Sequence, residues 1–297
     1  MKTILSLICA YLLFTVTPLL ADDVELVHIH GLNFDAQGKR ILIPAHFGIA
    51  VYQNGHWSKL AGPEHDYMGF TVTHDAMYTS GHPAMDSKLK NPFGLKKSIN
   101  DGGTWKTIGM EGEADFHVMA AGYFSDAIYV LNIMPNRSMP LRGIYYTLND
   151  GNIWNHAQAR FAPEPVALAV HPRQSGIVAI GSREGLFLSR DHARSFKPLD
   201  DSREVYAICF DFDNSHLFYA GYDIGSSLIR VDILTGMRST INTPNMNDDA
   251  IAYISQNPVD QRHLAIATFN RDVYISPDAG ETWQKIAAQG RVIELAQ

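Results

Sequence analysis

The eight residues SPDAGETW, numbered 276 to 283, are the part of this sequence that best indicates the fold. Three related stretches precede them: SINDGGTW from Ser98, TLNDGNIW from Thr147 and SRDHARSF from Ser189. The four stretches, here called the box turns, begin 49, 42 and 87 residues apart, and the last interval is about twice the others. A weaker copy, YQNGHW, begins at Tyr52, and VDILTG at Val231 stands where a missing copy would fall. Six repeats of roughly 45 residues therefore fill the chain, a period typical of propellers, solenoids and arrays.

Each repeat contains four short runs typical of β-strands. In the second repeat these runs are MGFTVTHD, AMYTSGH, GLKKSIND and TWKTIG. β-Branched and aromatic residues alternate between turn formers, and no segment has a helical period. Four-stranded units repeated six times predict a β-propeller, because closure into a ring buries each sheet against its neighbours. We expect one all-β domain over residues 22–297, a six-bladed propeller with blades near 24–62, 63–110, 111–160, 161–201, 202–243 and 244–290.

The box turns resemble the repeat of the BNR or Asp-box propellers, a sialidase-like superfamily whose repeat has the form S/T-x-D-x-G-x-T-W/F. Residues 276–283 match every position, whereas Asn100 and Asn149 replace the aspartate in two copies and Ala193 replaces the glycine in a third. The short polar side chain is expected to bind the turn backbone, and the aromatic residue to pack between blades. The resemblance implies a fold shared by glycosidases, sorting receptors and assembly factors, so it does not assign a function.

The first 21 residues predict export. Lys2 precedes an apolar run that ends near Leu20, and Ala21 precedes two aspartates, which is the pattern of a cleaved secretory signal peptide. The run is short and contains Pro18, and no other stretch reaches the ~20 apolar residues that span a bilayer. We therefore expect a periplasmic or secreted protein with no membrane span after cleavage.

The charge and the cysteines exclude two further classes. The formal net charge is −7, whereas a nucleic-acid partner normally requires a basic face. Only Cys209 follows the predicted signal peptide, so no intrachain disulfide can form in the mature protein. A disulfide-stabilised scaffold is therefore not expected, and neither is a protein that binds nucleic acid.

Propeller geometry sorts the thirteen histidines by face. Loops between blades, and loops joining the second strand of a blade to the third, share a top face opposite the box turns. Two of the top-face histidines lie two residues apart in VHIHGL, where a strand would direct both side chains the same way. Six histidines map to the top of three consecutive blades: His28, His30, His46, His65, His82 and His117.

The loops around these histidines carry further metal-binding groups. They include the carboxylates of Asp66, Glu113 and Asp115, and the sulfurs of Met68, Met85 and Met119. Imidazole with carboxylate suits zinc, copper or iron, and thioether shifts the preference toward copper. We expect a site for a transition metal, copper first and zinc second, or for a small polar ligand. Its expected ligands are the six histidines together with Asp66 and Asp115.

Two alternatives remain open. The segments HIHGL, HDYMGF, SGHP and GEADFH resemble secreted bacterial propellers labelled glycosyl hydrolases by similarity. That resemblance implies a glycan substrate and a carboxylate pair, which would be Asp66 with Glu113 or Asp115. A true sialidase is not expected, because its F/Y-R-I-P segment has no match closer than KRILIP around Arg40. The second alternative is a non-catalytic scaffold, which would bind a protein partner through the long top loops AMDSKLKNPFG and MPNRSMPLRG.

Overall fold

A computed structural model describes residues 24–158, 163–246 and 248–294. The predicted signal peptide lies outside these ranges. Within them, no helix is long and apolar enough to cross a membrane.

Over the described residues, the chain forms six antiparallel sheets, each built from four consecutive strands, and the last sheet gains a fifth. Blade 1 comprises β1 (Asn33–Phe34), β2 (Ile41–Ala45), β3 (Gly48–Gln53) and β4 (His56–Lys59). Blade 2 comprises β5 (Asp66–Val72), β6 (Met77–His82), β7 (Leu95–Ser98) and β8 (Lys106–Gly109). Blade 3 comprises β9 (Met119–Ala121), β10 (Ile128–Asn132), β11 (Gly143–Thr147) and β12 (Asn155–His156).

The second half of the chain repeats this arrangement. Blade 4 comprises β13 (Ala167–Val170), β14 (Val178–Ser182), β15 (Gly185–Ser189) and β16 (Lys197–Asp200). Blade 5 comprises β17 (Glu204–Phe210), β18 (His216–Tyr222), β19 (Ser226–Asp232) and β20 (Arg238–Ile241). Blade 6 comprises β21 (Ile251–Gln256), β22 (Leu264–Thr268), β23 (Val273–Ser276), β24 (Gln284–Ala288) and β25 (Arg291–Val292).

The first strands of the blades form the inner wall of a closed ring. They contact one another in the order β1, β5, β9, β13, β17 and β21, and β21 contacts β1. The fold is therefore a six-bladed β-propeller, and the prediction made from the repeat is confirmed.

The box turns stabilise the ends of four blades by the same pair of hydrogen bonds. In blade 6 the hydroxyl of Ser276 accepts from the backbone N–H of Gly280 at 2.8 Å, and Asp278 accepts from that of Thr282 at 2.8 Å. The other three turns repeat both bonds at 2.9–3.0 Å. Asparagine can replace the aspartate because the turn requires only an oxygen that accepts.

The glycine position of the box turn has a left-handed backbone. Its φ is 79° to 91° in the three glycine-containing turns and 59° at Ala193. A residue with a Cβ costs about 1–2 kcal/mol in this conformation. The methyl group of Ala193 is buried in the core between blades 3 and 4, which offsets part of that cost.

The hydrophobic core lies between the blades. Over the described residues, the buried apolar side chains form six clusters, and each cluster draws on two neighbouring blades. The box-turn aromatics pack against four of these clusters: Trp105, Trp154, Phe196 and Trp283.

The two ends of the described chain meet where blade 6 contacts blade 1. The backbone N–H of Leu26 donates to Gly290 at 2.8 Å, and Glu25 pairs with Arg291. The strand containing Arg291 extends blade 6, while Glu294 accepts from the backbone N–H of Trp57 in blade 1 at 3.2 Å. The last residues therefore connect blade 6 to blade 1.

His171, in the turn between β13 and β14, is fully buried and hydrogen-bonded at both ring nitrogens. Its Nδ1 accepts from the backbone N–H groups of Arg173 and Gln174, both at 3.1 Å. Its Nε2 donates to the carbonyl of Asn214 in blade 5 at 3.1 Å. Burial lowers the pKa of His171, so the ring stays neutral in the folded state at neutral pH.

We expect His171 to make stability fall on acidification. Below pH ~6.5 the unfolded chain binds a proton at His171 that the native state excludes, so the free energy of unfolding declines until the pH reaches the lowered native pKa. His171→Gln should flatten this slope and cost about 1–3 kcal/mol at pH 7, because glutamine cannot satisfy all three partners. Urea unfolding between pH 5 and 7.5 measures both effects. His263→Gln, at a more exposed turn, is the control, and equal slopes for wild type and His171→Gln would contradict the prediction.

Candidate metal centre

The structure brings five of the six candidate histidines into two groups on the top face. The first cluster consists of His28, His30 and His46, each offering a ring nitrogen within 4.8 Å of the others. The second cluster consists of His82, Asp115 and His117, whose ligand atoms meet the same limit. Blade 1 therefore supplies the first cluster, and blades 2 and 3 supply the second.

The first cluster is built on an irregular segment and a tight turn. His28 and His30 do not lie on a strand, contrary to the expectation from their two-residue spacing, since regular pairing starts at Asn33. The segment bends at Val27 and His28, and it is held in place because His30 donates its backbone N–H to Pro44 at 3.0 Å and the guanidinium of Arg271 donates to the carbonyl of Val27 at 2.9 Å.

His46 occupies the turn between β2 and β3 and completes the first cluster. Its ring centroid lies 4.5 Å from that of His28 and 4.9 Å from that of His30. The three rings therefore converge although they come from two separate segments of blade 1.

Asp66, the first residue of β5, lies against the first cluster. Its Oδ1 is 2.8 Å from Nδ1 of His46 and 3.8 Å from Nε2 of His30. Yet among the described residues neither that oxygen nor Nε2 of His30 has a hydrogen-bond partner, and both atoms are buried. A buried polar atom without a hydrogen bond costs about 1–3 kcal/mol, and only the contact with His46 offsets this cost at the Asp66 oxygen. The two atoms are therefore suited to a shared ligand.

The imidazole of His30 is in the form that binds metals. Burial lowers the pKa of His30 to about 4, although the Asp66 carboxylate opposes the shift. The ring is therefore neutral at pH 7 and keeps a lone pair available, as metal coordination requires.

The second cluster converges on one carboxylate oxygen. Oδ2 of Asp115 lies 2.6 Å from Nε2 of His117 and 3.1 Å from Nε2 of His82. The hydrogen bond that His117 donates to the Asp115 carboxylate is the largest influence on His117 and raises its pKa. On the far side of the His82 ring, Nδ1 lies 2.7 Å from Oδ1 of Asn91, which fixes the ring orientation. Nothing in the sequence marks Asn91 except its place in the long loop after β6.

Gly69 in β5 lets the segment with Asp115 and His117 approach blade 2. A Cβ at this position would lie 2.0 Å from the carbonyl oxygen of Phe116 and 2.7 Å from the sulfur of Met119. The strand also has a bulge between Tyr67 and Gly69, close to its top end. Bulges of this kind redirect side chains near functional sites.

His65 lies outside both clusters. It is buried, its Nδ1 accepts from the backbone N–H of Ala84 at 3.1 Å, and its ring centroid is 5.6 Å from that of Phe93. Burial and the nearby Lys96 lower its pKa. His65 therefore anchors the loop that carries Asn91, and its position does not support the predicted role as a ligand.

The remaining candidates occupy different surroundings. Glu113 lies outside both clusters, and its carboxylate accepts from the hydroxyl of Ser138 at 3.0 Å. Met85 is fully exposed, and Met119 packs into the core between blades 2 and 3. Two of the three methionine sulfurs that favoured copper therefore lie in surroundings that differ from those of a metal ligand.

Both clusters border the central channel. The channel encloses about 820 Å³, and His28, His30 and His117 contribute to its wall. Apolar and aromatic side chains such as Ile208 and Tyr253 line other parts of it. A group bound at either cluster would therefore be reachable from this cavity.

Fold and site together define a six-bladed β-propeller with a histidine-rich top face on blades 1 to 3. No protein-family model and no curated protein matches the chain. Among solved structures, a GH74 enzyme from Niastella koreensis aligns with a TM-score of 0.59 and 16% identity, over 89% of this chain and 47% of the enzyme. The GH74 xyloglucanase from Xanthomonas campestris aligns at 0.56 and 16%, over 90% and 46% of the two chains.

A third similar structure is YCF48 bound to D1 peptide. It aligns with a TM-score of 0.53 and 15% identity, over 92% of this chain and 85% of YCF48. The chain thus spans slightly less than half of each GH74 enzyme and most of YCF48. At these identities the similarity establishes the propeller fold and leaves the activity to be argued from the site.

Gly69→Ala should destabilise the fold where blade 2 contacts the segment that holds Asp115. The added methyl overlaps the backbone of the segment that holds Asp115, so we expect a loss of about 1–3 kcal/mol in the free energy of unfolding. Gly109→Ala is the matched control, because nothing lies within 4 Å of its Cβ position. Urea unfolding compares the two, and similar stabilities would contradict the close approach.

Proposed function

We propose that this protein is an exported binding protein that holds a transition-metal ion at the first cluster, with copper preferred over zinc. The observation that carries the proposal is the meeting of three imidazole nitrogens within 4.8 Å, beside the carboxylate of Asp66. Ligands bound to one ion at ~2.0–2.1 Å lie about 2.9–3.4 Å apart. The 2.8 Å between His46 and Asp66 is already close to that spacing, and small ring movements would bring in His28 and His30.

The donor set supports the choice of metal. Imidazole nitrogen and carboxylate oxygen suit divalent copper and zinc, and for a given site of this kind copper binds more tightly than zinc. The preference for copper therefore does not depend on a thioether ligand. A neutral His30 needs to lose no proton before it binds either ion.

The channel supports a role for the ion beyond stabilising the fold. His28 is exposed and borders the cavity, so an ion at the first cluster would keep one side open. Four protein ligands would close a tetrahedral zinc site, whereas a tetragonal Cu²⁺ ion has room for a further ligand, which would enter from the channel. A cavity of about 820 Å³ is within the usual range for small-molecule pockets, so a small polar ligand could reach the ion.

The two other functions have weaker support. For a glycoside hydrolase, Glu113 is hydrogen-bonded to Ser138, while Asp66 and Asp115 each lie against imidazoles. The similarity to GH74 enzymes concerns the fold. For a protein-binding scaffold, YCF48 bound to D1 peptide shows that a similar propeller can hold a peptide, but the histidine clusters are not required for such a role.

Removing two ligands should remove the ion. Protein purified without a histidine tag and dialysed against CuCl₂ or ZnCl₂ should bind copper, or zinc in its place. Inductively coupled plasma mass spectrometry measures the amount of bound metal. We expect His28→Ala/His30→Ala to lose one equivalent, because one remaining imidazole and a carboxylate cannot hold the ion. His156→Ala/His263→Ala removes two imidazoles elsewhere and should bind as wild type does. Failure of wild type to bind either ion, or equal losses in both variants, would overturn the proposal.

Asp66 should tune the affinity rather than create the site. Asp66→Asn keeps the shape of the side chain but removes its charge, so we expect the dissociation constant for Cu²⁺ to rise about 10–100-fold with the ion still bound. Isothermal titration calorimetry measures this change. Glu113→Gln is the charge-matched control on the same face and should leave the affinity unchanged, and a similar effect of both substitutions would point to general electrostatics instead.

A further inference from the structure

The second cluster has the features of a metal site in its own right. One oxygen of Asp115 faces the Nε2 atoms of both His82 and His117, at 3.1 and 2.6 Å. Its other oxygen is buried and, within the described ranges, has no hydrogen-bond partner.

The ring of His82 has the orientation typical of a histidine that binds a metal ion. If its Nδ1 donates to Asn91, Nε2 is left with its lone pair directed at the carboxylate. Histidines that bind metals typically donate their other N–H to an oxygen in this way. Two imidazoles and one carboxylate thus converge on a point that a divalent cation would satisfy.

The two clusters are neighbours. Asp66, beside the first cluster, pairs directly with His82 of the second across β5 and β6. Directly opposed residues have Cβ atoms about 4.5–5.5 Å apart.

The carboxylates make two cations at this spacing feasible. An imidazole binds a metal through a neutral nitrogen, so Asp66 and Asp115 would supply the two negative charges of the proposed centre. A carboxylate near both ions reduces their mutual repulsion, which is the usual arrangement where two metals share a site.

We propose that the second cluster binds a second transition-metal ion, so that the top of blades 1 to 3 holds a two-metal centre with Asp66 between the ions. The proposal rests on the proposed function for its first ion, and the two can fail separately because the sites use different histidines.

A third group, His74, Asp75 and Asp126, serves as the control. It lies on the opposite face, and Nδ1 of His74 is 3.1 Å from the carbonyl of Tyr123 and 3.8 and 3.9 Å from the two carboxylates. The described structure thus places a histidine with two carboxylates at a turn, away from the proposed centre. A substitution there tests whether any such group takes up metal.

Titration with CuCl₂, followed by calorimetry and mass spectrometry of the dialysed protein, tests the second site. Wild type should bind two equivalents, His82→Ala/His117→Ala one, and His28→Ala/His30→Ala one. His74→Ala should bind two. Asp115→Asn, which preserves the shape of the side chain, should weaken only the second equivalent, and circular dichroism confirms that each variant is folded.

Electron paramagnetic resonance tests the spacing. Two Cu²⁺ ions in one centre couple magnetically, so wild type with two equivalents should show a broadened and diminished signal. Each double variant should instead show the full signal of an isolated Cu²⁺ ion.

The outcomes separate the two proposals. One equivalent in wild type that is retained by His82→Ala/His117→Ala would overturn the second site and leave the proposed function standing. Two equivalents with uncoupled spectra would overturn the two-metal centre, and no binding in wild type would overturn both proposals. Loss of an equivalent in His74→Ala would show adventitious binding and also overturn the second site.

Discussion

Packing between neighbouring blades is the interaction on which this molecule depends. Each of the six hydrophobic clusters in the described chain is shared by two blades, so no blade has a core of its own. A sheet with two apolar faces is stable only when both are covered, and closure into a ring covers all of them. The junction of blades 6 and 1 is held by backbone bonds such as that from Leu26 to Gly290, which joins the two ends of the described chain.

The candidate metal centre is a product of the same packing. Blade 1 supplies the first cluster, while Asp66 and His82 come from blade 2 and Asp115 and His117 from blade 3. The ligands therefore keep their spacing only while the blade junctions stay closed. Gly69 shows how closely the site depends on the packing of the blades. The segment that carries Asp115 and His117 approaches blade 2 at Gly69, where no larger side chain fits.

Buried histidines take two different roles in this fold, and hydrogen bonding distinguishes them. His171 is paired at both ring nitrogens, and His65 accepts a backbone N–H, so these two stabilise turns and loops. His30 instead has a buried nitrogen without a hydrogen-bond partner among the described residues, close to an oxygen of Asp66 that contacts His46 but likewise accepts no hydrogen bond there. Burial lowers the pKa of all three, so what sets His30 apart is an unsatisfied nitrogen that lies beside two further imidazoles and a carboxylate.

The sequence by itself determined the architecture, because a repeat of about 45 residues with recurring box turns leaves few folds other than a propeller. It also placed five histidines correctly on one sector, since the order of strands in a blade sets the face of every loop. Only the tertiary structure divided those histidines into two clusters, placed His65 outside both and showed that His28 and His30 precede the first strand. The reason is that loop paths depend on distant contacts, such as the bond from Arg271 to Val27, which joins residues 244 positions apart.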